Sequence, residues 1–412
     1  GAFRTAGFSE WLTDLKKLKD HGNYISEGIR TTIGGVHVKQ SDAFFQLINL
    51  AERSGFIFVT GERGVGKSSL IKIFSEHASK HSPVFYLRTE ELDKAHLDNV
   101  FSAMGLNGSL RDLEAGFALI PKKYLIIESF EKLLELENTS AFTDLLQLLN
   151  KGQGWTVIAT GRDYAYQQIT FNHLKPLEVN FEPLMLDGFR DEQVKSLCEQ
   201  LGPLKKLFDI PNLKPLLKSP FFADLAFRVL EAGTELAPDD GEKEFRVAVW
   251  RDVIAKEQDR KNGMPPKRKQ TFINIAVKRA KQMVYGVSEI EFDNKAVLRL
   301  EEDNLVRRDS NNGLVSPAHD VLEDWALEQY IEDKYQKYSG SAKDFLGAIG
   351  NEPAINRAFR LWLHQKLRYG ENVYDFIISV LNDQDIQRYW QDETIASILQ
   401  GDNPDEFLKL LM

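Results

Sequence analysis

Gly61-Glu62-Arg63-Gly64-Val65-Gly66-Lys67-Ser68 fits the phosphate-binding pattern G-x-x-x-x-G-K-[ST]. The apolar run at 56–60 precedes it and a helix-like run at 69–75, opening on Ser69, follows. That is the strand–loop–helix setting the pattern requires. Gly64 and Gly66 let the backbone turn its N–H groups inward toward phosphate oxygens. The helix start adds its positive end. The stretch from Gly61 to Ser69 is therefore expected to bind a nucleotide, with Lys67 on the β- and γ-phosphates and Ser68 holding Mg²⁺.

Outward from the loop, strand-like apolar runs at 56–60, 84–87, 124–127, 155–160 and 177–179 alternate with helical stretches. Short apolar runs separated by helices imply a parallel sheet covered on both faces, an α/β fold. Upstream, 31–38 is β-prone around a glycine turn, and 41–53 has helical spacing. From about 190 the strand signal stops. The stretches 191–201, 220–231, 242–257 and 270–285 read as helices, and 263–270, with its Gly and two Pro residues, reads as a breaker and domain boundary. Two short β segments around Asn311-Asn312-Gly313 read as a hairpin, and helices ending in such a hairpin suggest a winged helix. The expected organisation is 1–30 as a helix and linker, 31–185 as the nucleotide-binding domain, 186–265 as a helical domain, 266–336 as the winged helix, and 337–412 as a helical segment. The apolar run at 407–412 suggests either the start of a helical array that continues in a longer protein or a single capping helix.

With 412 residues the prior is two to four domains, and a hydrophobic content of 42% suits ordinary buried cores. The single cysteine, Cys198, excludes disulfides and cysteine zinc sites within the chain and points to a reducing cytoplasm. The N-terminal stretch has the pattern of an amphipathic helix and not of a signal peptide, and no apolar run reaches the length of a membrane span. A net charge of −9 argues against a dedicated nucleic-acid binder while leaving a local basic patch open.

Two further strand ends carry chemistry. The run 124–127 leads into Glu128-Ser129-Phe130-Glu131. A carboxylate at the C-terminal end of such a strand is placed to hold the hydrated Mg²⁺, so Glu128 joins Ser68 as a metal candidate. The next position, where a carboxylate could polarise water, is held by Ser129, leaving Glu131 as a substitute base; without a well-placed base, hydrolysis is expected to be slow. The run 155–160 ends near Arg162, which could sense the γ-phosphate or stabilise charge in transfer. Pro220 reads locally as a first-turn proline, and His319, after the hairpin, taken alone is more often structural than functional.

Taken together and in order, these pieces resemble the STAND NTPases, the signal-transducing branch of the P-loop ATPases that includes NACHT and NB-ARC proteins. The resemblance spans about residues 31–336, and Ala318-His319-Asp320 after the hairpin looks like the Met-His-Asp motif of that family. It implies that His319 contacts the ADP β-phosphate, that Pro220 packs on the adenine, and that Val36 and Val38 contribute to the adenine wall. Two departures stand out: Glu128-Ser129 in place of paired carboxylates, and Ser219 where a glycine precedes the proline.

By the same resemblance the protein is a switch that ADP holds closed. An unknown protein trigger opens it, ATP replaces ADP, and the copies form a homo-oligomer that drives an N-terminal effector lying outside this chain. Bacterial antiphage defence or signalling is the implied setting. Two other readings stand beside it. One is an AAA+-like ATPase acting on DNA through its winged helix, favoured by Lys267, Arg268, Lys269, Lys278, Arg279 and Lys281. The other is a nucleotide-binding scaffold without turnover.

Overall fold

A computed structural model describes residues 2–38, 40–108, 110–151, 154–260, 263–309 and 312–399. The chain divides between Val253 and Ile254 into two compact units.

The first unit opens with α1 (Ala2–Glu27) and a small hairpin of β1 (Thr32–Ile33) and β2 (Val36–His37). Then follow α2 (Ser41–Arg53), β3 (Phe56–Thr60), α3 (Lys67–Ala78), β4 (Val84–Arg88), α4 (Leu97–Ala103), α5 (Leu110–Phe117) and β5 (Lys123–Glu128). The alternation continues with α6 (Ser140–Lys151), β6 (Trp155–Gly161), α7 (Asp163–Ile169) and β7 (Glu182–Met185). Strands β3 to β7 form one parallel five-stranded sheet in the order β4-β5-β6-β3-β7.

Side chains alternate across a strand, so each apolar run feeds two cores. Phe56 and Phe58 of β3 join Leu125 and Ile127 of β5 on one face, against Leu97 and Phe101 of α4 and Phe142 of α6. Ile57 and Val59 join Tyr124 and Ile126 on the other face, against Leu47 of α2 and Leu70, Ile71 and Phe74 of α3. Helix α1 lies along β4. Its Trp11 and Leu18 enter the first core, its Ile25 enters the second, and Gly22 passes within reach of the Tyr86 backbone nitrogen. Asp14, fully buried, fastens α1 by accepting the N–H groups of Asn107 at 3.1 Å and Gly108 at 2.7 Å.

The fifth strand is not where the apolar run predicts it. Leu177 ends a short 3-10 turn, Lys175–Leu177, and the strand forms at Glu182–Met185, where Leu184 alone is buried. As an edge strand it needs little apolar content, and it tolerates Pro183. Helices α8 (Asp191–Gln200), α9 (Leu204–Phe208), α10 (Lys214–Leu217), α11 (Pro220–Glu231) and α12 (Glu242–Ala248) complete the unit, the last running on as a π-helical turn.

The second unit begins with α13 (Met264–Gln282), β8 (Val287–Ser288), α14 (Asn294–Glu302), β9 (Val306–Asp309) and β10 (Leu314–Pro317). The sheet order β8-β10-β9 with a two-stranded wing is a winged helix. The segment read as a breaker is the first turn of α13: Gly263 caps it in the left-handed region, and proline fits helix entry because it needs no hydrogen-bonded N–H. Asn311 of the hairpin turn lies outside the described residues. Helices α15 (Asp320–Lys337), α16 (Ala342–Ile349), α17 (Pro353–Arg368), α18 (Tyr374–Asn382) and α19 (Arg388–Leu399) follow around an aromatic cluster of Tyr335, Phe345, Trp362 and Phe376. The apolar run at 407–412 also lies outside the described residues. Among those described, no helix is long and apolar enough to cross a membrane.

Candidate functional site

The loop between β3 and α3 sits at the C-terminal edge of the sheet, where ligands of open α/β folds bind. Gly64 (φ 77°) and Gly66 (φ 96°) both hold left-handed backbone. Each is also crowded. A Cβ on Gly64 would lie 2.6 Å from Ser219 Oγ, and one on Gly66 would lie 2.9 Å from Gln40 Nε2 and 3.5 Å from Pro220 Cγ. Side chains are excluded at both positions by conformation and by space. Lys67 Nζ donates to the carbonyl oxygens of Gly61 at 2.8 Å and Glu62 at 2.7 Å, which arches the loop over its own lysine. Arg63 is half-buried, Val65 is buried beneath the loop, and Ser69 is half-buried in the first turn of α3.

Because β6 runs between β3 and β5, its end reaches both neighbours. Ser68 Oγ donates to Glu128 Oε2 at 2.7 Å, and Thr160 Oγ1 donates to the same oxygen at 3.2 Å. Thr89 Oγ1 donates to the Glu128 carbonyl at 2.9 Å. Ser129 follows in the left-handed region (φ 57°), a conformation that costs a non-glycine residue free energy and marks a sharp exit from β5. Hydroxyl and carboxylate thus stand side by side at the loop. Two hard oxygen donors fit Mg²⁺, which takes one or two protein ligands and completes its shell with phosphate oxygens and water. Among the described residues no group of three or more His, Cys, Asp or Glu side chains could hold a metal.

Arg162 and Glu131 come together as a buried ion pair, Nε to Oε1 at 3.3 Å. Pro220 opens α11 directly over the loop, and the Phe221 N–H donates to the Gly64 carbonyl at 3.2 Å. Val36 and Val38 are half-buried at the β1–β2 hairpin, whose Gly34 lies against Phe227 of α11. Two residues further on, Gln40 reaches the loop, its Nε2 donating to the Val65 carbonyl at 3.3 Å. The hairpin is also tied to α11 through Asp224, which pairs with Arg30 at 3.0 Å and Arg228 at 2.9 Å. Burial pushes the Asp224 carboxyl up to about 6, with Arg30 pulling the other way. His319 belongs to the second unit, where it caps α15: its Nδ1 accepts the Val321 N–H at 3.1 Å.

Sequence reading missed Gln40, Thr160 and Phe221, and noted Ser219 only as a departure from an expected glycine. Only Thr160 carried a signal, as a polar residue near the end of an apolar strand.

No protein-family profile and no curated protein matches the chain. Among solved structures it is similar to the ORC2 protein of Aeropyrum pernix in its ADPNP–ADP complexes, at 14% identity and a TM-score of 0.37 over 71% of this chain and 94% of that one. It is also similar to a signal transduction ATPase with numerous domains from Pyrococcus horikoshii that carries a tetratricopeptide repeat sensor, at 11% identity and a TM-score of 0.39 over 90% of this chain and 59% of that one. A further likeness is to domain III of the Thermotoga maritima replication initiation protein DnaA, at 15% identity and a TM-score of 0.32 over 55% and 95%. All are distant. Sheet order, glycine loop and strand-end carboxylate together give the first unit the fold of a P-loop NTPase, here followed by helices and a winged helix.

Proposed function

We propose that the chain is a nucleotide-operated switch of STAND type, in which ADP holds a resting state and exchange for ATP permits opening and self-association. The observation that carries this reading is the bond from the Phe221 N–H to the Gly64 carbonyl, with Pro220 seated on Gly66. A helix outside the sheet is fastened to the loop that would hold the phosphates, so occupancy of the loop bears directly on that helix. Ser68 and Glu128 would hold Mg²⁺, whose chemistry is to neutralise phosphate charge and draw electrons from the γ-phosphoryl group. Hydrolysis to ADP and phosphate is expected to be slow: Ser129 offers no carboxylate after Glu128, and Glu131 is engaged by Arg162. Defence or signalling, with a protein trigger, is the setting that the resemblance gives such a switch.

An AAA+-like role on DNA needs a basic winged-helix surface. The basic residues of α13 are instead largely turned to acidic partners within their own unit. Lys267 pairs with Asp293 at 3.0 Å, Arg268 with Asp303 at 2.7 Å, Lys278 with Glu291 and Arg279 with Glu323, while Lys281 lies over the Tyr330 ring. Helix α14, in the place of a recognition helix, sets Glu301 and Glu302 beside Lys295 and Arg299. These pairings favour the switch.

The deciding experiment is to denature protein purified without added ligand and identify the released nucleotide by ion-exchange chromatography. Stoichiometric ADP supports the switch. An empty, freely exchanging site with DNA-stimulated turnover supports the second reading. In the switch, His319→Ala is expected to speed ADP release several-fold, measured with a fluorescent ADP analogue, besides costing about 1 kcal/mol as a lost helix cap. Release at the wild-type rate would leave His319 as the cap of α15 alone.

A further inference from the structure

Helix α11 starts without the cap that its sequence supplies. Ser219 occupies the N-cap position with the extended backbone of such a residue (φ −77°, ψ 124°), and its carbonyl accepts the first helical bond, from Ala223 N–H at 3.0 Å. A serine there ordinarily turns its hydroxyl onto the N–H of the second or third helical residue. The Ser219 hydroxyl makes no such bond. The N–H of Phe221, the second helical residue, goes to the Gly64 carbonyl instead. Ser219 Oγ faces the Gly64 backbone, buried and with no hydrogen-bond partner among the described residues.

We propose that α11 leaves the phosphate loop by exchanging caps: as the Phe221 N–H releases the Gly64 carbonyl, the Ser219 side chain rotates about χ1 and accepts the freed N–H itself. The backbone of Ser219 already has the capping conformation, so one side-chain rotation completes the exchange. Detachment would otherwise strand a helical N–H, one of the groups that every helix start must satisfy. In the attached state the burden falls on the hydroxyl, which is desolvated and unpaired. Ser219 therefore raises the free energy of the attached state and lowers that of the detached one. Where the resemblance expects a glycine before the proline, this serine supplies a device for letting go. The consequence for ADP rests on the nucleotide-switch reading; the cap exchange itself does not.

The test is hydrogen–deuterium exchange of the first turn of α11 in the full chain, comparing wild type with Ser219→Ala. Alanine cannot cap the detached helix, and it removes the unpaired hydroxyl from the attached one. The amide of Phe222, which the proposed cap does not hold, is expected to exchange about fivefold more slowly in the variant or slower still, because opening is disfavoured by at least a lost cap; the Phe221 amide is bonded in both states and does not report detachment. Exchange at the wild-type rate or faster overturns the proposal and makes Ser219 a space-filling residue. Release of a fluorescent ADP analogue, read in parallel, is expected to slow by a similar factor. Slower amide exchange with no ADP binding in the wild type would uphold the cap exchange and overturn the nucleotide reading. Ser219→Asp, which caps well but crowds Gly64, is expected to move both rates the other way.

Discussion

Replacing Lys67 with alanine is expected to weaken ADP and ATP binding by roughly a hundredfold or more, about 3 kcal/mol, the scale of truncating one partner of a desolvated charge pair. The ammonium is the main positive charge facing the phosphates from within the loop. It also holds the carbonyl oxygens of Gly61 and Glu62, so its loss unties the arch that aims the backbone N–H groups. Both effects act on the ligand and little on the cores, where Val65 and Leu70 keep their packing. Isothermal titration calorimetry of the variant, with its thermal transition as a check on folding, makes the measurement. Wild-type affinity in a folded variant would remove the nucleotide from this loop.

The second large effect is expected at Glu131. Sequence reading offers it as a base for the attacking water, and the structure gives it a different occupation, the buried ion pair with Arg162. Removing one member of a buried pair leaves the other charge without compensation, at a cost of about 3–5 kcal/mol. Glu131→Gln is therefore expected to lower unfolding stability by about 3 kcal/mol in a denaturant titration. Adding Arg162→Met should recover most of that loss, because the stranded charge goes with the arginine. A Glu131→Gln protein as stable as wild type would show that the pair does not anchor the end of β6, and would return Glu131 to the role of a base. Turnover separates the roles further: an anchoring residue loses activity through Arg162, so Glu131→Gln should add little to an Arg162→Met background.

Four sheet strands were legible because each is a continuous apolar run feeding two cores. The loop was legible because its chemistry is written in eight consecutive residues. What stayed hidden was long-range. Thr160 meets Glu128 only because β6 lies between β3 and β5, a matter of strand order that no local pattern encodes. Gln40 and Ser219 reach the same loop from opposite sides in sequence, carried by the starts of α2 and α11. The strand expected at 177–179 failed for a related reason. An edge position rewards backbone pairing with β3 more than apolar content, so Glu182–Met185 pairs while an apolar neighbour turns. The prolines near 265 misled in the other direction, since the residue that ends helices also begins them.

The way the sheet is bordered limits how copies of this protein can meet. One flank, β4, lies under α1, whose glycine at position 22 brings helix backbone close to the strand. The other, β7, carries Pro183, which has no N–H to offer an incoming strand, between exposed Glu182 and buried Leu184. Neither border is an inviting template for strand addition. Assembly would then have to be written in side chains on the outer surfaces, where it can be made and unmade reversibly, and not in backbone ladders that tend toward fibres.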